Sequence, residues 1–282
     1  MQQLFACALV TGIAVVPARA YAQERPYFVT YDHYLEEPGN LEVATAMTTG
    51  IPKAGKSSYT APWLELEYGI KGWWTTELYV EGTATRRDGS GLTGWRWENR
   101  FRPLRGEHRV NPVLYVEYEH INEASRIQKE IVGKGGIEYE PITELREERE
   151  RALEAKLILS STVGAWNASQ NVIVEKNLSR AEGLAFGYSF GFSRPLGLLA
   201  SEKACRMCAE NFVVGAEAYG GLGSGRHVGP RGARHYAAPV LAWRASDRSV
   251  LKFSAGIGLT EASDRLLLRV GWAYEFGGRK RP

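Results

Sequence analysis

Apolar and polar residues alternate with a period of two along much of the chain, the mark of β-strands whose two faces meet different surroundings. In the stretch 184–192, Leu184, Phe186, Tyr188, Phe190 and Phe192 share one side, and Ala185, Gly187, Ser189 and Gly191 share the other. The stretch 251–259 repeats the pattern, and 266–276 sets Leu266, Leu268, Val270, Trp272, Tyr274 and Phe276 against Leu267, Arg269, Gly271, Ala273 and Glu275. Elsewhere the second face is charged. Glu65 and Glu67 interleave with Leu64, Leu66 and Tyr68, Arg96, Glu98 and Arg100 with Trp95, Trp97 and Phe101, and Glu117 and Glu119 with Val116 and Tyr118. The pattern predicts twelve strands, over 40–50, 59–69, 72–85, 92–102, 111–121, 152–164, 170–178, 183–194, 211–221, 235–245, 249–259 and 265–276.

Alternation alone fits either a soluble sandwich, with its charges turned to water, or a barrel in lipid, with its charges turned inward. Length decides between them. Many of these stretches run to about 10 residues or more, as a tilted membrane strand requires, whereas globular strands run to about 5 or 6. The predicted fold is all-β: an antiparallel up-and-down transmembrane β-barrel of about 12 strands, in one domain spanning 23–282, with strands from about 40 to 276. With both termini periplasmic, an even strand count makes every second connection periplasmic, with short turns at 69–72 and 245–249 there and the long segments 122–151 and 222–234 outside.

The first residues support export. An apolar run, Leu4 to Val16, is followed by Pro17, by small residues at Ala18, Ala20 and Ala22, and then by Gln23, Glu24 and Arg25. This outline is a signal peptide over 1–22, cleaved after Ala22, and it implies an address in the cell outer membrane. Past it, no apolar run approaches the roughly 18 residues of a spanning helix.

Composition agrees with a β protein, with 31 Gly, 14 Tyr, 8 Trp and 9 Phe among 282 residues. Lys and Arg number 35 and Asp and Glu 32, a net charge of +3 that argues against a nucleic-acid partner. Cys205 and Cys208 are the cysteines left once the leader, with Cys7, is gone. In an oxidising compartment that spacing reads as a local disulfide. No histidine follows them and no second pair completes a zinc site, so neither metal nor cofactor is expected.

The last strand, Leu266-x-Leu268-x-Val270-x-Trp272-x-Tyr274-x-Phe276, resembles the C-terminal signal by which Gram-negative outer-membrane barrels engage the barrel assembly machinery. The resemblance implies an assembly role for Trp272, Tyr274 and Phe276, although Gly277 to Pro282 extend the chain beyond the aromatic end. A fainter similarity, through 154–160, Trp166, Asn167 and Asn171, is to transporter barrels of the MetA-pathway (phenol degradation) type.

Among the five histidines, none stands by a serine in a Gly-x-Ser-x-Gly motif, and His120 is the nearest candidate for a hydrolase, so no catalytic residue is assigned. The stronger constellation is the inferred inner wall: Glu65, Glu67, Glu77, Glu81, Arg96, Glu98, Arg100, Glu117, Glu119, Lys156, Arg269 and Glu275, joined by Glu154, Glu175, Glu217 and Lys252. It reads as a hydrated pore or as a charge network filling a closed lumen. The mixed-charge segment 138–151 reads as a solvated loop or a folded-in plug, and Arg226, Arg231 and Arg234 as groups for lipopolysaccharide phosphates.

The expected function is therefore a channel or transport protein for small solutes, with outer-membrane lipid and lipopolysaccharide, the assembly machinery and a small solute as partners. A closed structural or surface-interaction barrel is the alternative, and a lipid-modifying outer-membrane enzyme comes third.

Overall fold

The structure, a computed structural model, describes residues 26–53, 57–85, 89–122, 132–133, 149–199, 205–225 and 227–277. The leader, nearly all of 123–148, and Arg226 lie outside the described residues.

The strands are β1 (Leu41–Ile51), β2 (Tyr59–Lys71), β3 (Trp74–Thr85), β4 (Gly89–Phe101), β5 (Asn111–Ile121), β6 (Glu150–Val163), β7 (Trp166–Asn177), β8 (Ala185–Pro195), β9 (Phe212–Ser224), β10 (His227–Val228), β11 (His235–Ser246), β12 (Ser249–Gly258) and β13 (Leu266–Phe276). The two-residue β10 pairs with the end of β9. The other twelve form one antiparallel ring, each bonded to its neighbours in sequence, and β1 closes the ring by pairing Leu41 with Phe276 and Ile51 with Leu266 of β13. Closure leaves no unpaired edge, the condition for crossing hydrocarbon with strands. Each predicted strand corresponds to one of the twelve.

At the end of the barrel that carries the termini, called here the terminal end, short turns join β2 to β3, β6 to β7 and β11 to β12. The β6–β7 turn uses Gly164 at φ +61°, a left-handed position open to glycine without strain. Also at this end is the long β8–β9 connection, where Cys205 and Cys208 are disulfide-bonded. Asn211 Nδ2 donates to Cys205 O at 2.6 Å and Trp243 Nε1 to Arg206 O at 2.9 Å, fastening the connection to β11.

Burial follows the alternation. Leu66, Leu78, Val80, Trp97, Leu114, Leu157, Val172, Phe190, Leu268 and Val270 point outward and are exposed, whereas Glu77, Glu98, Glu117 and Glu154, each on one of these strands, are fully enclosed. Such an apolar belt is stable against lipid chains and costly against water. Aromatic side chains ring the terminal end in contact: Trp73 with Trp74 and Phe101, Trp166 with Phe192, Phe212 with Trp243, and Tyr274 with Trp272 and Phe276. Their indole N–H groups find acceptors, as at Trp74 with Asn99 and Trp272 with Ser249, as amphipathic rings at a membrane interface do.

The two faces should respond oppositely to substitution. Val270→Arg places a charge in the apolar belt and should cost about 2 to 4 kcal/mol. Ser254→Ala, on the inner face, should be close to neutral, because the buried Ser254 Oγ has no hydrogen-bond partner among the described residues. Denaturant unfolding in lipid vesicles measures both.

Candidate functional site

The lumen is occupied by the chain's own residues 26–38. Pro38 bridges to Gly69 at the terminal end, Gly39 N–H donates to Gly69 O at 2.8 Å, and Gly39 at φ +84° makes the turn into β1. A side chain at Gly69 would strike the Glu37 carbonyl, so glycine there lets the segment pass against the wall. Glu36 N–H donates to Thr75 Oγ1 at 3.1 Å. From this fastening the segment rises to the middle of the barrel and returns towards the terminal end at Tyr27.

Four consecutive main-chain amides at the top of this excursion are met by wall side chains. Glu217 of β9 accepts from the N–H groups of Phe28, Val29 and Thr30 at 3.3, 2.9 and 3.1 Å. Asn171 of β7 accepts from Tyr31 N–H at 2.7 Å and returns its own N–H to Tyr31 O at 2.9 Å. The segment thus satisfies amides buried in the lumen without adding a strand to the ladder.

Side chains complete the fit. The Tyr27 hydroxyl reaches Ser193 Oγ at 2.8 Å and Asn167 Oδ1 at 3.0 Å, with its ring lying over Gly191, where a Cβ would collide with it. Burial pushes the Tyr27 phenol above its usual range, against the opposing effect of its hydrogen bond with Ser193, so it remains a donor. Val29 belongs to a buried cluster with Tyr59, Tyr219, Tyr236, Ala238 and Leu267, and Tyr31 to one with Val113, Tyr115 and Ile158. The Tyr31 hydroxyl donates to Glu98 at 2.8 Å, and Lys156 Nζ stands 4.4 Å from the centre of its ring. Beside Phe28 a cavity of about 30 Å³ remains between Lys252, Glu65 and Tyr79, room for about one water.

His33 meets a serine that sequence spacing does not reveal. Its Nδ1 lies 2.8 Å from Ser160 Oγ, and its Nε2 lies 3.0 Å from Glu107 Oε2. Ser160 Oγ already accepts from Ser169 and Asn167, so its own hydrogen is directed to Nδ1 and the ring N–H to Glu107. Both His33 and Ser160 are enclosed, and the arrangement ties the segment to β6 and the β4–β5 turn. His120, by contrast, lies on β5 beside the outward Trp95 ring.

The charged residues singled out by alternation lie as follows. Glu65, Glu67, Glu77, Glu81, Glu98, Glu117, Glu119, Arg96, Arg100, Lys156 and Arg269 are buried, and Glu275 is half-buried at the terminal end. Arg96 bridges Glu81 at 2.5 Å and Glu117 at 2.6 Å. Arg100 donates to Glu77 at 2.6 Å, to Glu67 at 2.5 Å, and to the Tyr34 carbonyl at 3.1 Å. Lys156 lies 3.1 Å from Glu154 and over the Tyr115 ring. Arg269 Nη1 donates to the Tyr219 hydroxyl at 2.7 Å. The structure turns one residue away from its predicted role: Arg234, expected at the surface among basic loop residues, is buried with Nη1 3.8 Å from Asp264.

Among the described residues, carboxylate oxygens approach within 4.8 Å in three groups, Glu36 with Glu42 and Glu275, Glu42 with Glu65 and Glu67, and Glu117 with Glu119 and Glu154. These all-oxygen sets suit hard cations better than zinc or copper. Below the segment, the terminal end opens into a cavity of about 590 Å³, with Asp32, Glu42 and Glu275 among its acidic lining and Arg194, Arg244 and Arg248 among its basic lining.

Neither a protein-family model nor a curated protein matches the chain. Its fold is similar to that of the COG4313 outer membrane channel from Pseudomonas putida F1, at a TM-score of 0.56 and 10% identity over 86% of this chain and 97% of that one. It is also similar to the KdgM porin solved with disordered oligogalacturonate, at 0.52 and 8% identity over 84% and 99%. The outer membrane phospholipase A of Escherichia coli aligns at 0.40 and 10% identity over 90% and 94%. The chain has the fold of outer-membrane β-barrels; the similarity to MetA-pathway barrels is not shown by these comparisons.

Two outcomes follow from this geometry. Replacing Arg96 and Arg100 together by Ala should lower stability by at least about 3 to 5 kcal/mol, the cost of breaking one buried pair, read as an earlier loss of heat-modifiable gel mobility. The second concerns pH. Burial, with Glu275 beside it, pushes the Glu36 carboxyl up to about 7, while Asn40 and Arg100 pull it down. The folded chain then holds this proton while the unfolded chain gives it up near the ordinary carboxylate value, so stability falls as pH rises from about 4.5 to about 7. Glu36→Gln should flatten this part of a melting-temperature profile measured from pH 4 to 8.

Proposed function

We propose that this barrel is an outer-membrane channel for small solutes whose resting lumen is closed by its own residues 26–38. One observation carries the reading: the ring of twelve strands is complete without the segment, which is held mainly through side chains of the wall. Withdrawing the segment breaks no ladder. It vacates a cross-section that accommodates a bent peptide with two tyrosine rings. The wall it leaves is rich in carboxylates, a lining suited to hydrated, neutral or cationic solutes.

In this reading residues 1–22 are the export signal, and the terminal end faces the periplasm. Trp272, Tyr274 and Phe276 serve assembly, and the Cys205–Cys208 bond keeps a long periplasmic turn compact. Outer-membrane lipid and lipopolysaccharide surround the belt. A closed structural barrel is the second reading, favoured by the completeness of the Arg96 and Arg100 pairing inside the wall.

Planar-bilayer recording separates the two. The native chain should show rare, brief openings, and the full chain carrying Tyr27→Ala and Tyr31→Ala should show a sustained open fraction at least about tenfold higher, the change expected from losing about 1.4 kcal/mol of closure. A double variant that folds normally in gels but carries no current in either polarity would establish the closed structural barrel instead.

A further inference from the structure

The contacts that hold the segment are of an unusual kind for a plug. Glu217 takes three successive amide hydrogens, and Asn171 takes the N–H and the C=O of one residue together. None of these five bonds depends on what side chain residues 28–31 carry. They belong to any peptide placed in the same path. The wall therefore offers an acceptor for each amide hydrogen of a four-residue stretch, and so meets the main cost of bringing a peptide out of water, the stripping of its amides.

Selectivity enters at two places. The ring of one residue lies over Gly191, with its hydroxyl on Ser193 and Asn167, and the ring four residues later stands edge-on to Tyr115, at 5.2 Å between centroids, with its hydroxyl on Glu98. Between them Val29 joins the apolar cluster that holds Tyr219, Tyr236 and Leu267, a place that a range of apolar side chains could fill. The surrounding wall carries Glu42, Glu65 and Glu67 in one cluster, which favours a peptide with a free ammonium group or a basic side chain over an acidic one.

From this we propose that the lumen is a peptide-binding site and that the solutes of this barrel are short peptides that take up the bent path of residues 27–31, neutral or cationic and bearing aromatic residues. Residues 27–31 occupy the site as a tethered competitor. Tethering gives the segment a high local concentration, so a free peptide gains access only while the segment is out. The proposal rests on the channel reading for transport, but binding itself does not.

The test uses the full chain with Tyr27→Ala and Tyr31→Ala, whose own segment has lost both ring anchors, and a synthetic pentapeptide Tyr-Phe-Val-Thr-Tyr with a free amino terminus and an amidated carboxyl end. The peptide should block the sustained current in a concentration-dependent manner. The same peptide N-methylated at its third and fourth residues, which removes two of the hydrogens directed at Glu217, should need at least about a tenfold higher concentration, in line with the loss of charge-assisted hydrogen bonds. Asn171→Ala in the same background should weaken the unmodified peptide similarly. Absence of blockade, or equal blockade by the methylated peptide, overturns the proposal. If the variant folds but does not conduct, the channel reading fails by itself and the melting temperature becomes the readout. A rise produced by the unmodified and not the methylated peptide supports the binding site, and no rise overturns it.

Discussion

A polar group taken out of water must find a partner, and in this protein that requirement applies simultaneously to the wall and to what fills it. The strands satisfy each other's amides by closing into a ring, which leaves side chains as the variable. Turned outward they must be apolar. Turned inward they can be charged only if they are paired, hydrated or capped by something else in the lumen. Glu217 shows how far this goes: its carboxylate sits deep in the barrel, and its partners are three amides of a segment that belongs to no strand. The segment needs acceptors for its amides and the carboxylate needs donors, and the structure answers each need with the other.

The same rule explains why the barrel was legible in the sequence and its contents were not. A strand carries its orientation in its own composition, so Leu64 to Tyr68 or Leu266 to Phe276 can be read without knowing their neighbours, and cross-strand pairing then follows from chain order. The inward charges were legible for the same reason, since a Glu on an alternating strand must take one face or the other. Residues 27–31 carry no such marker. Tyr27-Phe28-Val29-Thr30-Tyr31 is a short apolar and aromatic run with no alternation and no turn to a partner strand, and its place is set by Glu217 and Asn171, 140 or more residues away. A usable signal was nevertheless present: an aromatic run just ahead of the first barrel strand has to be buried somewhere, and in a barrel the available interior is the lumen. His33 with Ser160 illustrates the same limit, because their separation of 127 residues means that only the folded ring brings them together.

Similarity to solved barrels at about a tenth identity fixes the architecture and leaves the lumen to be argued from this chain alone. That is physically reasonable. The outer face of a strand is held to a general requirement, contact with lipid, which many sequences meet. The inner face answers to particular partners, and here those partners include the chain's own first described residues.

The two jobs of the wall are separated around its circumference. Arg96 and Arg100, with Glu67, Glu77, Glu81 and Glu117, tie β2, β3, β4 and β5 to one another, and their closest partners belong to the wall itself. The principal ties of residues 27–33 fall instead on β6 to β9, through Ser160, Asn171, Ser193 and Glu217. Tyr31 joins the halves, its main chain on Asn171 and its hydroxyl on Glu98. A charge network whose shortest pairs lie within the wall stiffens one side and allows the other side to hold or release the segment while the ring stays closed. Had Arg96 and Arg100 drawn their main partners from residues 26–38, departure of the segment would have left two arginines uncompensated in the lumen, at a cost that would bind the stability of the barrel to the presence of its occupant.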